Sequence, residues 1–144
     1  MNLRILGIDY GDSRTGFAVS DELGITAQSL VTVSEKNALN IVRRAAALAH
    51  EHHVSEIVVG LPKNMNGTVG ERGLKTQAFA ESLRKEASLP VTLWDERLTT
   101  VSALNLLNEA NVRGEKRKKA VDKIAAALIL QNFLDCKSNI QKEC

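Results

Sequence analysis

The chain has 144 residues, a length that suits one domain able to bury roughly 70% of the surface its unfolded form would expose. Hydrophobic residues make up 44% of it and charged residues 25%, which excludes a disordered or fibrous protein. No apolar run approaches the roughly 20 residues of a membrane span, and the N-terminus has no signal-peptide pattern, so we expect a cytoplasmic protein. The net charge of +2 is too small to identify a polyanionic partner by itself.

Three strands are predicted at the start of the chain. The segments 2–10, 14–21 and 27–33 are rich in apolar and β-branched residues, and the glycine and polar residues at 11–13 are suited to a hairpin turn. Because the connections are short, we expect these strands to pair antiparallel.

The next part of the chain predicts parallel crossovers. Apolar residues at steps of three and four predict a helix over 38–53, and the segments 55–61 and 90–96 predict a fourth and a fifth strand. The apolar stripe of this helix consists of Leu39, Val42, Ala46 and Ala49.

A second helix is predicted between these two strands. Thr68 and Glu71 have the spacing of a capping box, which predicts a helix from there to about Ala87 that buries Phe79 and Leu83.

Two further helices follow the fifth strand. One starts at Thr99 or Thr100 and ends near Ala110, and the other spans 118–134. The prediction is an α/β domain over 1–134 with a mixed five-stranded sheet flanked by helices, followed by a flexible tail.

Acidic residues end two of the predicted strands. Asp9 ends the first, and Asp95 and Glu96 end the fifth. If those strands run in the same direction, their ends meet at the edge where α/β sheets bind ligands. Alternatively, each acid caps a turn. Strand alternation puts Asp95 and Glu96 on opposite faces and does not choose between them.

Asp122 is a third candidate. It shares a helix face with Ala126, Ile129 and Phe133, the face expected to enter the core. An unpaired buried carboxylate costs several kcal/mol, so Asp122 needs a partner or a metal ion. A buried ion pair, for instance with Arg97, or a position at the helix N-terminus, where the helix dipole favours a negative charge, would stabilise the carboxylate equally well.

Converging carboxylates repel one another unless cations lie between them. Hard oxygen ligands suit Mg²⁺ or Mn²⁺. Two such ions about 4 Å apart can activate a water and stabilise the leaving oxygen in phosphodiester hydrolysis.

Four motifs together resemble the YqgF family from about residue 3 to residue 134. They are "GIDYG", "GLPKNMNGTVG", "DERLTT" and "VDKIAAALILQ". The resemblance implies an RNase H-like fold and a nuclease that is Holliday-junction-resolvase-like or matures the 16S ribosomal RNA precursor. It also implies that Asp9, Glu96 and Asp122 are the catalytic, metal-binding acids. Asp95 remains the alternative to Glu96.

A basic run directly before the last helix is the most directional charge feature of the chain. Such a run is often only a solvated face, but here it adjoins Asp122, which favours contact with a phosphate backbone and salt-sensitive binding. Its members are Arg113, Lys116, Arg117, Lys118 and Lys119.

The loop at 60–70 is a second candidate for phosphate binding. Gly67 and Gly70 are expected to leave backbone N–H groups uncovered at a helix start, and Lys63 and Arg72 flank them. Glycine-rich loops also serve simply as turns, and this one lacks the nucleotide-binding P-loop pattern. Aromatic residues make up only 3% of the chain, so few side chains are available to stack on bases. This favours a structured or duplex nucleic acid as the ligand.

The histidines of "HEHH" at 50–53 have no further ligand to complete a zinc site, so solvated or helix-capping roles are expected.

The main hypothesis is a metal-dependent endonuclease acting on structured RNA as a monomer or homodimer. The alternatives are a resolvase of branched DNA and a ribosome assembly factor that binds nucleic acid without cleaving it.

Overall fold

The computed structural model describes residues 3–64, 66–95 and 124–137. The strands in these ranges are β1 (Ile5–Asp9), β2 (Arg14–Ser20), β3 (Ala27–Ser34), β4 (Glu56–Leu61) and β5 (Val91–Asp95). The helices are α1 (Ala38–Glu51), α2 (Glu71–Ala87) and α3 (124–137).

The five strands form one mixed sheet in the order β3-β2-β1-β4-β5. β2 pairs antiparallel with β1 and β3, whereas β4 pairs parallel with β1 and β5. The predicted sheet is therefore confirmed. The parallel ladders also put the last residues of β1, β4 and β5 at one edge of the sheet.

Helices cover both faces of the sheet, and β1 contributes to both. Leu6 and Ile8 are fully buried in the core formed with α1 and α2. Ile5 belongs to a second core formed with α3. Because side chains alternate along a strand, Asp9 lies on the α3 face, with Ile5 and Gly7.

α1 follows the predicted pattern except at one position. Asn37 caps its start, where Oδ1 accepts hydrogen bonds from the amides of Leu39 and Asn40. Val42 and the two predicted alanines of the stripe are buried, but the expectation for Leu39 is wrong: its side chain is 53% exposed. Leu39 lies in the first turn, where α1 borders a surface groove instead of the core.

α2 buries the two predicted core residues, Phe79 and Leu83, at 3% and 0% exposure. Phe79 also stacks on Tyr10 of the neighbouring segment, which ties the middle of α2 to the end of β1.

α3 lies against β1 at a glycine. A Cβ built on Gly7 would be 2.7 Å from Leu130 Cβ and 3.1 Å from the carbonyl oxygen of Ala126, closer than ordinary packing allows. At the other end of the helix, Leu134 and Lys137 border a cleft together with Ile5. α3 therefore runs antiparallel to β1, with its N-terminal end toward Asp9.

Two polar side chains, Gln131 and Lys137, hold α3 in this position. Gln131 accepts a hydrogen bond from the Ala27 amide and donates one to the Ile25 carbonyl, both at 2.9 Å. Lys137 donates to Glu56 at 2.8 Å. The helix thus continues to 137, three residues beyond its predicted end, while the rest of the predicted tail lies outside the described residues.

None of the helices in the described ranges has the length and apolar character needed to cross a membrane.

We predict that Gly7→Ala destabilises the protein by about 1–3 kcal/mol, because the added methyl group overpacks the contact between β1 and α3. Urea unfolding monitored by circular dichroism measures this change. Gly70→Ala is the control, since its added Cβ would meet only the Asn64 side chain, at 3.4 Å, an ordinary van der Waals distance. Equal effects of the two substitutions would contradict the close approach.

Candidate functional site

Asp9 ends β1 at the sheet edge where the three parallel strands finish. Its side chain is partly buried and borders a cleft of about 250 Å³. The cleft lies at the β1–β2 hairpin turn and is closed on another side by Arg72 of α2. The remaining lining residues are Gly11, Asp12, Ser13, Arg14, Gly16 and Thr32.

The turn beside Asp9 has a tight backbone. The Gly11 amide donates to the hydroxyl of Thr15, which is fully buried, at 3.4 Å. A Cβ on Gly11 would collide with the Arg14 carbonyl oxygen, so a larger residue does not fit there without a backbone shift. This turn brings a second carboxylate, that of Asp12, into the same cleft as Asp9.

The cleft combines opposite charges in a way that suits a phosphodiester and its counterions. Its carboxylates are hard oxygen ligands for a divalent cation, and the guanidinium groups of Arg14 and Arg72 are donors to phosphate oxygens. Asp12, Arg14 and Thr32 line the cleft but were not among the site residues predicted from the sequence. Their position in a turn directly after Asp9 was a usable signal for the first two.

Asp95, the alternative second acid, lies on the other face of the sheet. The β4–β5 register pairs Gly60 with Trp94 and Leu61 with Asp95. Trp94 packs in the α3 core and meets Phe133 edge to face, whereas Leu93 packs against the α1–α2 core. By alternation, Asp95 shares the face of Leu93, opposite to that of Asp9.

The loop before α2 differs from the prediction. The capping box is wrong: the N-cap residue of α2 is Gly70, and no side chain caps the helix. The Thr68 hydroxyl donates to Asn66 Oδ1 at 2.7 Å and accepts from the Asn64 side-chain amide at 2.9 Å. These contacts within the loop compete with capping, so the helix begins two residues later than a Thr68 cap would place it.

The predicted phosphate contacts of this loop have separate outcomes. The Gly67 amide donates to the Asn64 carbonyl at 2.9 Å, so it is not uncovered as expected, and a positive φ of 86° explains the glycine. Arg72 borders the Asp9 cleft, whereas Lys63 does not line it. Of these three residues, the structure brings only Arg72 to the candidate site.

The other predicted site residues lie outside the described residues. This holds for the two acids Glu96 and Asp122 and for the helix predicted near 99–110. It also holds for the basic run of Arg113, Lys116, Arg117, Lys118 and Lys119. Within the described ranges, no group of three or more His, Cys, Asp or Glu side chains is arranged to hold a metal ion.

The three histidines lie at the end of α1. His52 is its C-cap residue, and the His52 amide donates to the Leu48 carbonyl. His50 belongs to the last turn, and His53 adopts a positive φ of 54° just beyond it.

Burial raises the pKa of the Tyr10 hydroxyl, and the negative charge of Asp12 raises it further. The phenol is therefore neutral at physiological pH. The Tyr10 side chain lies on the opposite sheet face from Asp9, although the two residues are adjacent in the chain.

Comparison with known proteins identifies relatives over nearly the whole chain. A model of the RuvX family, described as Holliday junction resolvase, matches residues 3–136. A protein of Clostridium novyi is 50% identical over 133 residues, covering 92% of this chain and 98% of its own length. A protein of Bacillus cytotoxicus is 51% identical over 137 residues, covering 94% of this chain and 100% of its own length. Both carry the name "Putative pre-16S rRNA nuclease".

Solved structures share the fold. Thermus thermophilus RuvC in complex with a Holliday junction substrate superposes with a TM-score of 0.60 at 16% identity, covering 95% of this chain and 96% of its own. The RNase H-like architecture is therefore confirmed.

Proposed function

The chain belongs to the RuvX family of Holliday junction resolvases, and we propose that it is a divalent-metal-dependent endonuclease that cleaves structured RNA during maturation of the 16S ribosomal RNA precursor. The observation that carries this proposal is the cleft at the end of β1, which both Asp9 and Arg72 line. The name of the closely related proteins supports RNA as the substrate. A cytoplasmic location, and a monomeric or homodimeric state, stay predictions.

The proposed catalytic acids are Asp9, Glu96 and Asp122. The direction of α3 supports Asp122, because Ala126 lies over Gly7 and the helix points its N-terminal end toward Asp9. If the helix continued to 122, the four residues before Ala126 would advance about 6 Å, at about 1.5 Å each. Two strand residues, from Gly7 to Asp9, span about 6.6 Å in the same direction. The two distances match.

Strand alternation supports Glu96 over Asp95 as the second acid. Trp94 lies on the face of Asp9, and Asp95 on the opposite one. The next position, 96, would return to the face of Asp9 if the alternation continued.

The donor set fits Mg²⁺ or Mn²⁺. Carboxylate oxygens are the ligands these ions prefer, and the cleft contains no nitrogen or sulfur ligand among its described lining residues. Asp9, Glu96 and Asp122 would hold the ions, which would supply an activated water and stabilise the leaving oxygen. In this role the acids act by coordination and not as proton carriers.

Basic residues would bind and orient the substrate backbone. Arg72 is exposed at the start of α2, where its guanidinium and the positive end of the helix dipole both favour a phosphate. The basic run at 113–119 would extend this contact along the backbone.

Branched DNA is the second candidate substrate. The description of the matched family model favours it. Both substrates present a phosphodiester backbone, so the same cleft would serve either.

We predict that Asp9→Asn lowers the cleavage rate about 100-fold or more, since removal of a direct metal ligand should cost at least as much as the loss of a residue that supports one. Precursor 16S RNA and a four-way DNA junction are incubated with Mg²⁺, with Mn²⁺ or with a chelator. Binding should survive the substitution.

The matched pair Asp95→Asn and Glu96→Gln tests the face assignment in the same assay. Only Glu96→Gln should abolish cleavage. A wild-type protein that binds RNA and never cuts it with either metal would instead support the assembly-factor hypothesis.

We predict that Arg72→Gln reduces the slope of log Kd against log salt concentration by about 0.7–0.9, the value for one lost phosphate contact. Fluorescence anisotropy with a labelled RNA hairpin measures this slope. Arg44→Gln removes the same charge from an exposed position of α1 that does not line the cleft, and its slope should equal that of the wild type. Identical slopes for all three proteins would remove Arg72 from the binding surface.

A further inference from the structure

A groove lies between the first turn of α1 and the middle of α2, beside the end of β1. Its volume is about 450 Å³, within the range of roughly 300–1,000 Å³ typical of small-ligand sites. We call it the Tyr10 groove. Its apolar part is lined by Tyr10, Leu39, Val42 and Phe79, and its basic residues are Lys36 and Lys75.

Tyr10 forms a fixed aromatic surface in this groove. Its ring stacks on that of Phe79, with centroids 4.2 Å apart and planes 9° from parallel. Phe79 is anchored in the core at 3% exposure, whereas Tyr10 is only partly buried. Leu39, 53% exposed, borders the same groove. A flat ring and an exposed leucine together suit a flat apolar ligand.

The Tyr10 groove adjoins the Asp9 cleft at Asp12. Asp12 lines both of them, and Tyr10 directly follows Asp9 in the chain. A polymer held at Asp9 would pass Asp12 to place a neighbouring unit in the groove.

The charge of the Tyr10 groove suits a phosphate. Two lysines outnumber its one acidic lining residue, Asp12. Lys75 Nζ is 3.9 Å from Asp12 Oδ1, and both side chains are more than half exposed, so this ion pair is weak and leaves the ammonium available.

We propose that the Tyr10 groove binds one unpaired nucleotide next to the phosphodiester held at Asp9. The base packs against Tyr10 and Leu39, and the adjoining phosphates lie near Lys36 and Lys75. This rests on the proposed function, because only a bound nucleic acid delivers such a nucleotide. It deepens that function by naming the substrate class: a duplex that gives way to a single strand at the cleaved bond.

Two RNA hairpins with the same stem test this proposal, one blunt and one with a short unpaired extension containing 2-aminopurine. Binding is measured with Ca²⁺ in place of Mg²⁺, so that no cleavage is needed for a signal. The wild type should bind the extended hairpin at least about fivefold more tightly than the blunt one, as expected for one stacked base, and should quench the 2-aminopurine fluorescence.

A matched pair of variants locates the effect. Leu39→Glu places a carboxylate in the Tyr10 groove and should remove both the preference and the quenching. Leu74→Glu makes the same change at a similarly exposed leucine, 59% against 53%, that does not line the groove, and should keep both. Tyr10→Phe should also retain both, because it preserves the ring. Thermal melting by circular dichroism establishes that each variant is folded.

Equal binding of the two hairpins by the wild type would overturn the Tyr10 groove as a nucleotide site while leaving the proposed nuclease intact. Equal behaviour of Leu39→Glu and Leu74→Glu would overturn it as well, including the case in which the groove binds a protein instead. Failure of the wild type to bind either hairpin would overturn both proposals.

Discussion

The contact between α3 and β1 at Gly7 is the constraint on which the account depends. A Cβ at Gly7 would lie 2.7 Å from Leu130 Cβ, so the absence of a side chain sets how closely the helix approaches the central strand. A second contact, where Leu134 lies near Ile5, makes the helix antiparallel to β1 and turns its N-terminal end toward Asp9. Placing a carboxylate from the last helix beside one from the first strand requires both properties.

The sheet topology supplies the second requirement. The parallel pairing of β1, β4 and β5 brings strand ends that are distant in sequence to one edge. Alternation then divides that edge into two faces. Asp9 lies on the α3 face with the proposed metal site, and Tyr10 lies on the α1–α2 face with the Tyr10 groove. One strand end therefore contributes to both the proposed chemistry and the proposed substrate selection.

Much of this architecture is encoded in local sequence patterns. The five strands, α1 and the core of α2 followed from apolar periodicity, because burial of one face dictates that periodicity. Asp9 was identified for the same reason, as a charge at the point where a buried strand ends. The choice between Asp95 and Glu96 does not follow from this periodicity, because it depends on which face of β5 packs against α3.

The wrong predictions concern competition between contacts. Thr68 has the spacing of a helix cap, but its hydroxyl bonds within the loop to Asn64 and Asn66. Leu39 fits the apolar stripe of α1 but lies beyond the part of the helix that the sheet and α2 cover. Likewise, the sequence alone does not indicate that Gly7 faces Leu130, because that contact joins segments more than 120 residues apart.

The most direct measurement of the central claim is an anomalous difference map from crystals of the protein soaked in Mn²⁺. The account predicts a peak within about 2.5 Å of carboxylate oxygens of both Asp9 and Asp122, the reach of oxygen ligation. It is contradicted if the Asp122 carboxylate lies more than about 10 Å from that of Asp9, a separation that no shared ion can bridge.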